Sequence, residues 1–83
     1  MSESTQFTGR QISAARALLG LAQAELAAAA SVSVATLRRM EASEFAAVGL
    51  TNNVAAVRRA LEAAGVEFIP ENGGGAGVRL RKS

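Results

Sequence analysis

The sequence contains no cysteine and no histidine. The chain therefore cannot form a disulfide, and it lacks the thiolate and imidazole groups that most often bind transition metals or act as nucleophile and base. Only scattered carboxylates remain for metal binding or acid–base chemistry, and no second catalytic type accompanies them. We therefore expect a protein without a metal or cofactor that is not an enzyme.

Large apolar side chains are also scarce. The chain has 83 residues, and its 49% hydrophobic content includes much alanine but only three Phe, two Met, and no Trp or Tyr. A chain of this length forms one small domain with limited apolar burial. We therefore expect two copies to associate and complete the core.

Long hydrophobic runs are missing as well. The longest run, over residues 27–34, is short and interrupted by serine, so it cannot span a bilayer. The first ten residues also lack the basic-then-apolar pattern of a signal peptide, which favours a cytoplasmic protein without membrane contact. The formal net charge is +2, with basic clusters at 38–39, 58–59 and 79–82. Clustered positive charge is compatible with nucleic-acid binding but does not establish it.

The spacing of apolar residues predicts four helices, over residues 9–19, 22–30, 34–42 and 52–64. Thr8, Ser33 and Thr51 have hydroxyls suited to N-caps of the first, third and fourth helices. Gly20 and Gly65 suit helix ends that require a positive φ. These signals place the helix boundaries.

The hydrophobic period changes to two after the fourth helix. Strands are predicted over 66–69 and 78–81, joined by a glycine-rich turn. The sequence thus predicts a mainly α fold of four helices followed by a C-terminal β-hairpin. Its expected parts are a flexible N-terminal arm at 1–8, a helical domain at 9–65 and the hairpin at 66–83.

The most specific motif lies between Leu21 and Ser43. It reads LAQAELA and then, after a break, VSVATLRRME. This stretch resembles the helix-turn-helix of the Cro/repressor-type (XRE) family, and the resemblance extends over residues 11–61. The last part of the chain resembles the tail of short alphaproteobacterial members. The resemblance implies a repressor-like fold, a helix-turn-helix DNA-binding domain at 9–65, and a transcription regulator that binds double-stranded DNA.

Two positions depart from the family pattern. Ser31 stands where the family has a turn glycine, and Ala22 stands where it has a Ser or Thr N-cap. Ser31 must then adopt a strained turn, and Ala22 forgoes about 1 kcal/mol of capping. The fold tolerates such losses, but they are also compatible with a degenerate motif that no longer binds DNA tightly.

The third helix is the expected recognition helix. With Leu37 and Met40 facing inward, the residues expected to contact base edges are Val34, Ala35, Thr36, Arg38 and Arg39. Arg39 can bind a guanine edge with two hydrogen bonds, and the small side chains can pack on a thymine methyl. The alternative interpretation of the two arginines is an ordinary solvated helix face.

The resemblance implies a phosphate contact for Gln23, which also braces the first recognition residue; the alternative is an ordinary exposed glutamine. Further phosphate contacts are expected from Ser33, Arg10, Thr51, Asn52 and Asn53. Arg16 and Glu41 match the family's internal ion pair. A structural role follows, because an unpaired charge on the apolar stripe of the first helix would be costly.

The hairpin is expected to pack on something, because a lone two-stranded hairpin is marginal. The family uses a C-terminal strand for dimer contacts, so the expected interface consists of Val66, Phe68, Ile69, Val78 and Leu80. A hairpin folded back on its own helices remains the alternative.

Two functions from different classes follow. The first is a homodimeric regulator, a repressor or autoregulator, on a palindromic operator with half-sites about 10 base pairs apart. The second is a protein-interaction module, such as an antitoxin or antiactivator, that holds a protein partner through the loop 45–48 and the hairpin.

Overall fold

The computed structural model of this chain describes residues 8–43, 51–70 and 73–81. Within these ranges its elements are α1 (Gly9–Leu19), α2 (Gln23–Ala30), α3 (Val34–Glu41), α4 (Thr51–Ala63), β1 (Val66–Ile69) and β2 (Gly77–Leu80). The predicted mainly α fold with a C-terminal hairpin is confirmed. The expected arm at 1–7 and the loop 45–48 lie outside the described residues.

A capping box begins α1. The Thr8 hydroxyl accepts from the Gln11 backbone N–H at 3.1 Å, and the Gln11 side-chain oxygen accepts from the Thr8 N–H at 2.8 Å. The assignment of Thr8 to a flexible arm is therefore wrong, because its side chain and backbone are both fixed by the helix start. Gly20 ends α1 with φ 70°, as predicted.

A tight turn over residues 31–33 joins α2 to α3. Ser31 adopts φ 60° and ψ 40°, the left-handed conformation that favours glycine. Its N–H and that of Val32 bond to carbonyl oxygens in the last turn of α2. Ser33 then caps α3, its hydroxyl accepting from the Thr36 N–H at 3.0 Å. Ser31 thus ends α2, and Ser33 begins α3.

Several predicted boundaries shift by one residue. α2 begins after Ala22, which caps it without a side-chain hydrogen bond, and α3 ends at Glu41. Thr51 is the first residue of α4 rather than its cap, and β2 starts at Gly77. Such shifts follow from backbone hydrogen bonds at element ends, which residue patterns locate only approximately.

The few large apolar residues form one core. Those that are fully buried come from every helix and from β1: Ile12, Leu26, Leu37, Met40, Val57, Leu61 and Val66. The inward orientation predicted for two of them, Leu37 and Met40, is confirmed. Because each helix contributes, the core fixes the orientation of α3 relative to the other helices.

The hairpin folds back on the helices of its own chain. The strands pair antiparallel with Phe68 opposite Val78, and both side chains pack against the core. Val66 has no exposed surface. The expectation that Val66 contacts a second chain is therefore wrong, because this side chain fills the space between the hairpin and the helices.

Polar contacts also attach the hairpin to the helices. The Gln11 amide of α1 donates to the carbonyl oxygen of Gly77 at 3.0 Å. The guanidinium of Arg58 in α4 lies 5.2 Å from the ring centre of Phe68. Within the described ranges, no helix has the length and apolar character that crossing a bilayer requires.

Candidate nucleic-acid interface

The outward face of α3 carries three of the five residues predicted to contact bases. Successive residues of a helix are about 100° apart, so Ala35 lies between Arg38 and Arg39 on one face. All three are exposed, while Leu37 and Met40 on the opposite side are fully buried. The result is a small apolar side chain with an arginine on each flank.

The other two predicted residues lie at the borders of this face. Val34 is half-buried and packs against the core. Thr36 is half-buried on the other border, where its hydroxyl accepts from the Ser33 hydroxyl at 2.9 Å. The structure thus groups Ala35, Arg38 and Arg39 and leaves Val34 and Thr36 with less exposed surface.

Ser33 has its hydroxyl occupied by α3 itself. The oxygen accepts from the Thr36 backbone N–H, and the proton is donated to the Thr36 hydroxyl. A hydroxyl has a single proton. Ser33 can therefore donate to the phosphate contact predicted for it only when the Thr36 hydroxyl takes over the donor role in this pair or the pair opens.

A network centred on Glu41 joins α1, α2 and α3. Arg16 binds the Glu41 carboxylate through two nitrogens, Nε to Oε2 at 2.7 Å and Nη2 to Oε1 at 2.9 Å. Oε1 also accepts from the Ser13 hydroxyl at 3.1 Å and from the Gln23 amide nitrogen at 3.0 Å. The carboxylate side chain is only 7% exposed. The predicted ion pair of Arg16 and Glu41 is present, with two additional donors that sequence reasoning missed.

The electrostatics of this network favour the ionised pair. Burial alone would raise the pKa of the Glu41 carboxyl, but hydrogen bonds from Arg16, Gln23 and Ser13 stabilise the charged form more strongly and place that pKa below its ordinary value. The hydrogen bond to Glu41 raises the pKa of Arg16. Glu41 is therefore a carboxylate at neutral pH, and the neighbouring guanidinium compensates its charge.

One face of α1 holds the end of α3. Gly9, Ser13 and Arg16 are spaced four and three residues apart, which aligns them along a helix. A β-carbon on Gly9 would lie 2.7 Å from the Ser43 carbonyl oxygen and overlap that of Met40, so the two backbones touch at this point. The sequence shows that Gly9, Ser13 and Arg16 share one face of α1, but it does not show that this face packs against the end of α3.

Gln23 lies at the first position of α2, as expected. Gln23 does not contact the first recognition residue, as the prediction had it. Its amide bonds instead to Glu41 at the far end of α3. Val34, the first residue of α3, has no polar side-chain atom to bond. Gln23 thus braces α3, but at its C-terminal end.

The remaining phosphate candidates lie in first turns of helices. Arg10 is exposed in the first turn of α1, Asn52 is exposed in that of α4, and Asn53 is half-buried beside it. The side chain of Thr51 lies outside the described residues. Helix starts favour anions because their first N–H groups lack helical partners.

Comparison with models of known protein families gives no match, and comparison with curated proteins gives none either. The functional interpretation therefore depends on the residues and contacts described above.

Proposed function

We propose that this protein is a sequence-specific regulator of transcription in the cytoplasm that binds double-stranded DNA and has no enzymatic activity. In this proposal α2 and α3 form a helix-turn-helix, and α3 enters the major groove. The observation that carries it is the outward face of α3, where Arg38 and Arg39 flank Ala35.

The shape and charge of α3 suit the groove. An α-helix with its side chains is about 10–12 Å in diameter, close to the major-groove width of about 12 Å. The eight residues of α3 extend about 12 Å along the helix axis. The single acidic residue of α3, Glu41, is paired with Arg16 and almost fully buried. The exposed face is therefore basic and apolar, as contact with phosphates and base edges requires.

Two copies would present two recognition helices to one operator. A single chain offers one short reading helix, whereas a two-fold dimer reads half-sites about 10 base pairs apart. Leu80, which is 45% exposed at the end of β2, has the most exposed apolar surface of the hairpin residues predicted for such an interface. The half-buried Ile69 lies on the other face of the hairpin, since side chains alternate along a strand. Phe68 and Val78 retain only partly exposed surface, and Val66 is excluded.

Selection of bound sequences from a pool of random duplexes tests this proposal. We expect enrichment of an inverted repeat, and a gel-shift affinity for it that falls steeply as salt rises, because bound cations are released from the phosphates. A pool that stays random, together with an absence of shift at low salt, would contradict DNA binding.

A protein-interaction module is the second candidate. The observation that favours it is a pair of half-exposed leucines, Leu18 at 46% and Leu80 at 45%. Contiguous exposed apolar surface, rather than a single exposed leucine, is typical of sites that bind protein partners, so this candidate requires the two leucines to contribute to such a patch. This candidate predicts no sequence enrichment and a stoichiometric complex with a second protein that is lost when either leucine becomes glutamate.

A further inference from the structure

The Gln23 amide is held by a carboxylate rather than left to rotate. Its Nε2 atom donates to Glu41 Oε1 at 3.0 Å. An ionised carboxylate only accepts hydrogen bonds, so it must face the NH2 end of the amide and not the oxygen. The orientation of Gln23, which is normally ambiguous by a half turn, is therefore determined by Glu41.

The Glu41 carboxylate is itself fixed from two sides. Arg16 holds both of its oxygens, and Ser13 donates to the same oxygen that Gln23 uses. The guanidinium also compensates the negative charge. A carboxylate next to a DNA phosphate would otherwise repel it, so this pairing permits Glu41 to lie behind a phosphate contact.

We propose that Glu41 is a positioning residue, which orients the Gln23 amide so that its second N–H is a fixed donor for a DNA phosphate. This inference depends on the proposed DNA binding. A donor that is already oriented loses less conformational freedom on binding than a freely rotating glutamine. The contribution of Gln23 to DNA affinity should therefore depend on the charge state of residue 41.

Duplex binding by four proteins tests this dependence: the wild type, Gln23→Ala, Glu41→Gln and the double variant. The probe is a mixed-sequence DNA two helical turns long. We expect Gln23→Ala to weaken binding by about tenfold, the effect of one hydrogen bond to a charged group. In a Glu41→Gln background, the amide at position 41 can present either a donor or an acceptor, so it no longer fixes the orientation of Gln23. Gln23→Ala should then alter the DNA affinity less than about twofold.

Glu25→Gln is the matched control. It removes the same charge close to the same helix start, but Glu25 binds the Ala22 N–H and not Gln23. Gln23→Ala should keep its full tenfold effect in that background. An equal effect of Gln23→Ala in all backgrounds overturns the positioning role and leaves the proposed function standing. Wild-type protein that does not bind the duplex even at low salt overturns both.

A spectroscopic measurement on the wild-type protein covers the case in which Glu41→Gln does not fold. The two side-chain N–H protons of Gln23 are followed by NMR as duplex is added. We expect the proton bonded to Glu41 to keep its shift and slow exchange while the second proton moves. Loss of the Glu41-bonded proton on binding would overturn the proposal, since the amide would then have turned away.

Discussion

The backbone of Gly9 in α1 is in direct contact with the Met40 carbonyl oxygen of α3, where a β-carbon would overlap that oxygen. The contact brings the start of α1 against carbonyl oxygens at the end of α3. The positive end of one helix dipole thus lies beside the negative end of the other, which is favourable. It also fixes the position of the helix that carries the candidate base contacts.

Gly9→Ala is therefore expected to destabilise the fold. The added methyl group meets backbone, which cannot move aside like a flexible side chain, so we expect a loss of about 2 kcal/mol or more in the free energy of unfolding. Urea denaturation measures the loss. Gly77→Ala is the control, since its methyl group would meet nothing within 4 Å; equal midpoints for the two variants would show that the close contact is not essential.

Arg16→Ala is expected to loosen or unfold the protein without acting on DNA sequence preference. It leaves the Glu41 carboxylate buried and without its cation, and breaking such a pair costs about 3 kcal/mol. The control is Arg79→Ala, whose pair with Glu67 at 2.6 Å is exposed and worth less than about 1 kcal/mol. A thermal melt of Arg16→Ala that matches the wild type would refute the structural role.

Ser31→Gly is expected to stabilise the protein. Ser31 occupies a left-handed conformation that glycine adopts without steric cost, so we expect a gain of about 0.5 kcal/mol after the greater freedom of glycine in the unfolded chain is allowed for. Gly20→Ala, which places a side chain at φ 70° in open space, should show the opposite sign. Differential scanning calorimetry of both variants decides; a lower melting temperature for Ser31→Gly would mean that the serine is not strained.

Arg39→Ala is expected to weaken sequence discrimination on DNA. Loss of a bidentate contact to guanine removes about 1–3 kcal/mol of preference for the correct base. Arg59→Ala removes the same charge from an exposed position of α4. We expect it to lower affinity for all duplexes alike, as competition gel shifts with specific and random DNA would measure. Unchanged discrimination in Arg39→Ala would identify another residue as the base contact.

Leu80→Glu is expected to convert a dimer into a folded monomer. Leu80 is 45% exposed in the single chain, so a charge there is tolerated by the fold but not by an apolar interface. Leu18→Glu is the control on α1, with 46% exposure, and should leave the dimer intact. Sedimentation velocity gives the masses. A wild-type protein that sediments as a monomer would contradict the homodimer.

Local chemistry explains why much of this fold was predictable. Thr8, Ser33 and Gly20 act on backbone groups within a few residues of themselves, so their roles as helix caps could be derived from the sequence. The period of apolar residues similarly located all four helices and the hairpin. The ion pair of Arg16 and Glu41 came from the resemblance, since nothing local joins residues so far apart.

The tertiary structure decided what these elements contact. In the sequence Gly9 is an ordinary residue at a helix start, and only the fold places the backbone of α3 against it. Likewise, nothing in the sequence connects Gln23 with Ser13, although both donate hydrogen bonds to Glu41. The pattern of Val66 gave an apolar face to its strand, but a period of two does not say whether the partner is another chain or the same one. Packing decided that the partner is the same chain, because without the hairpin the four helices would leave empty the space in the core that Val66 fills.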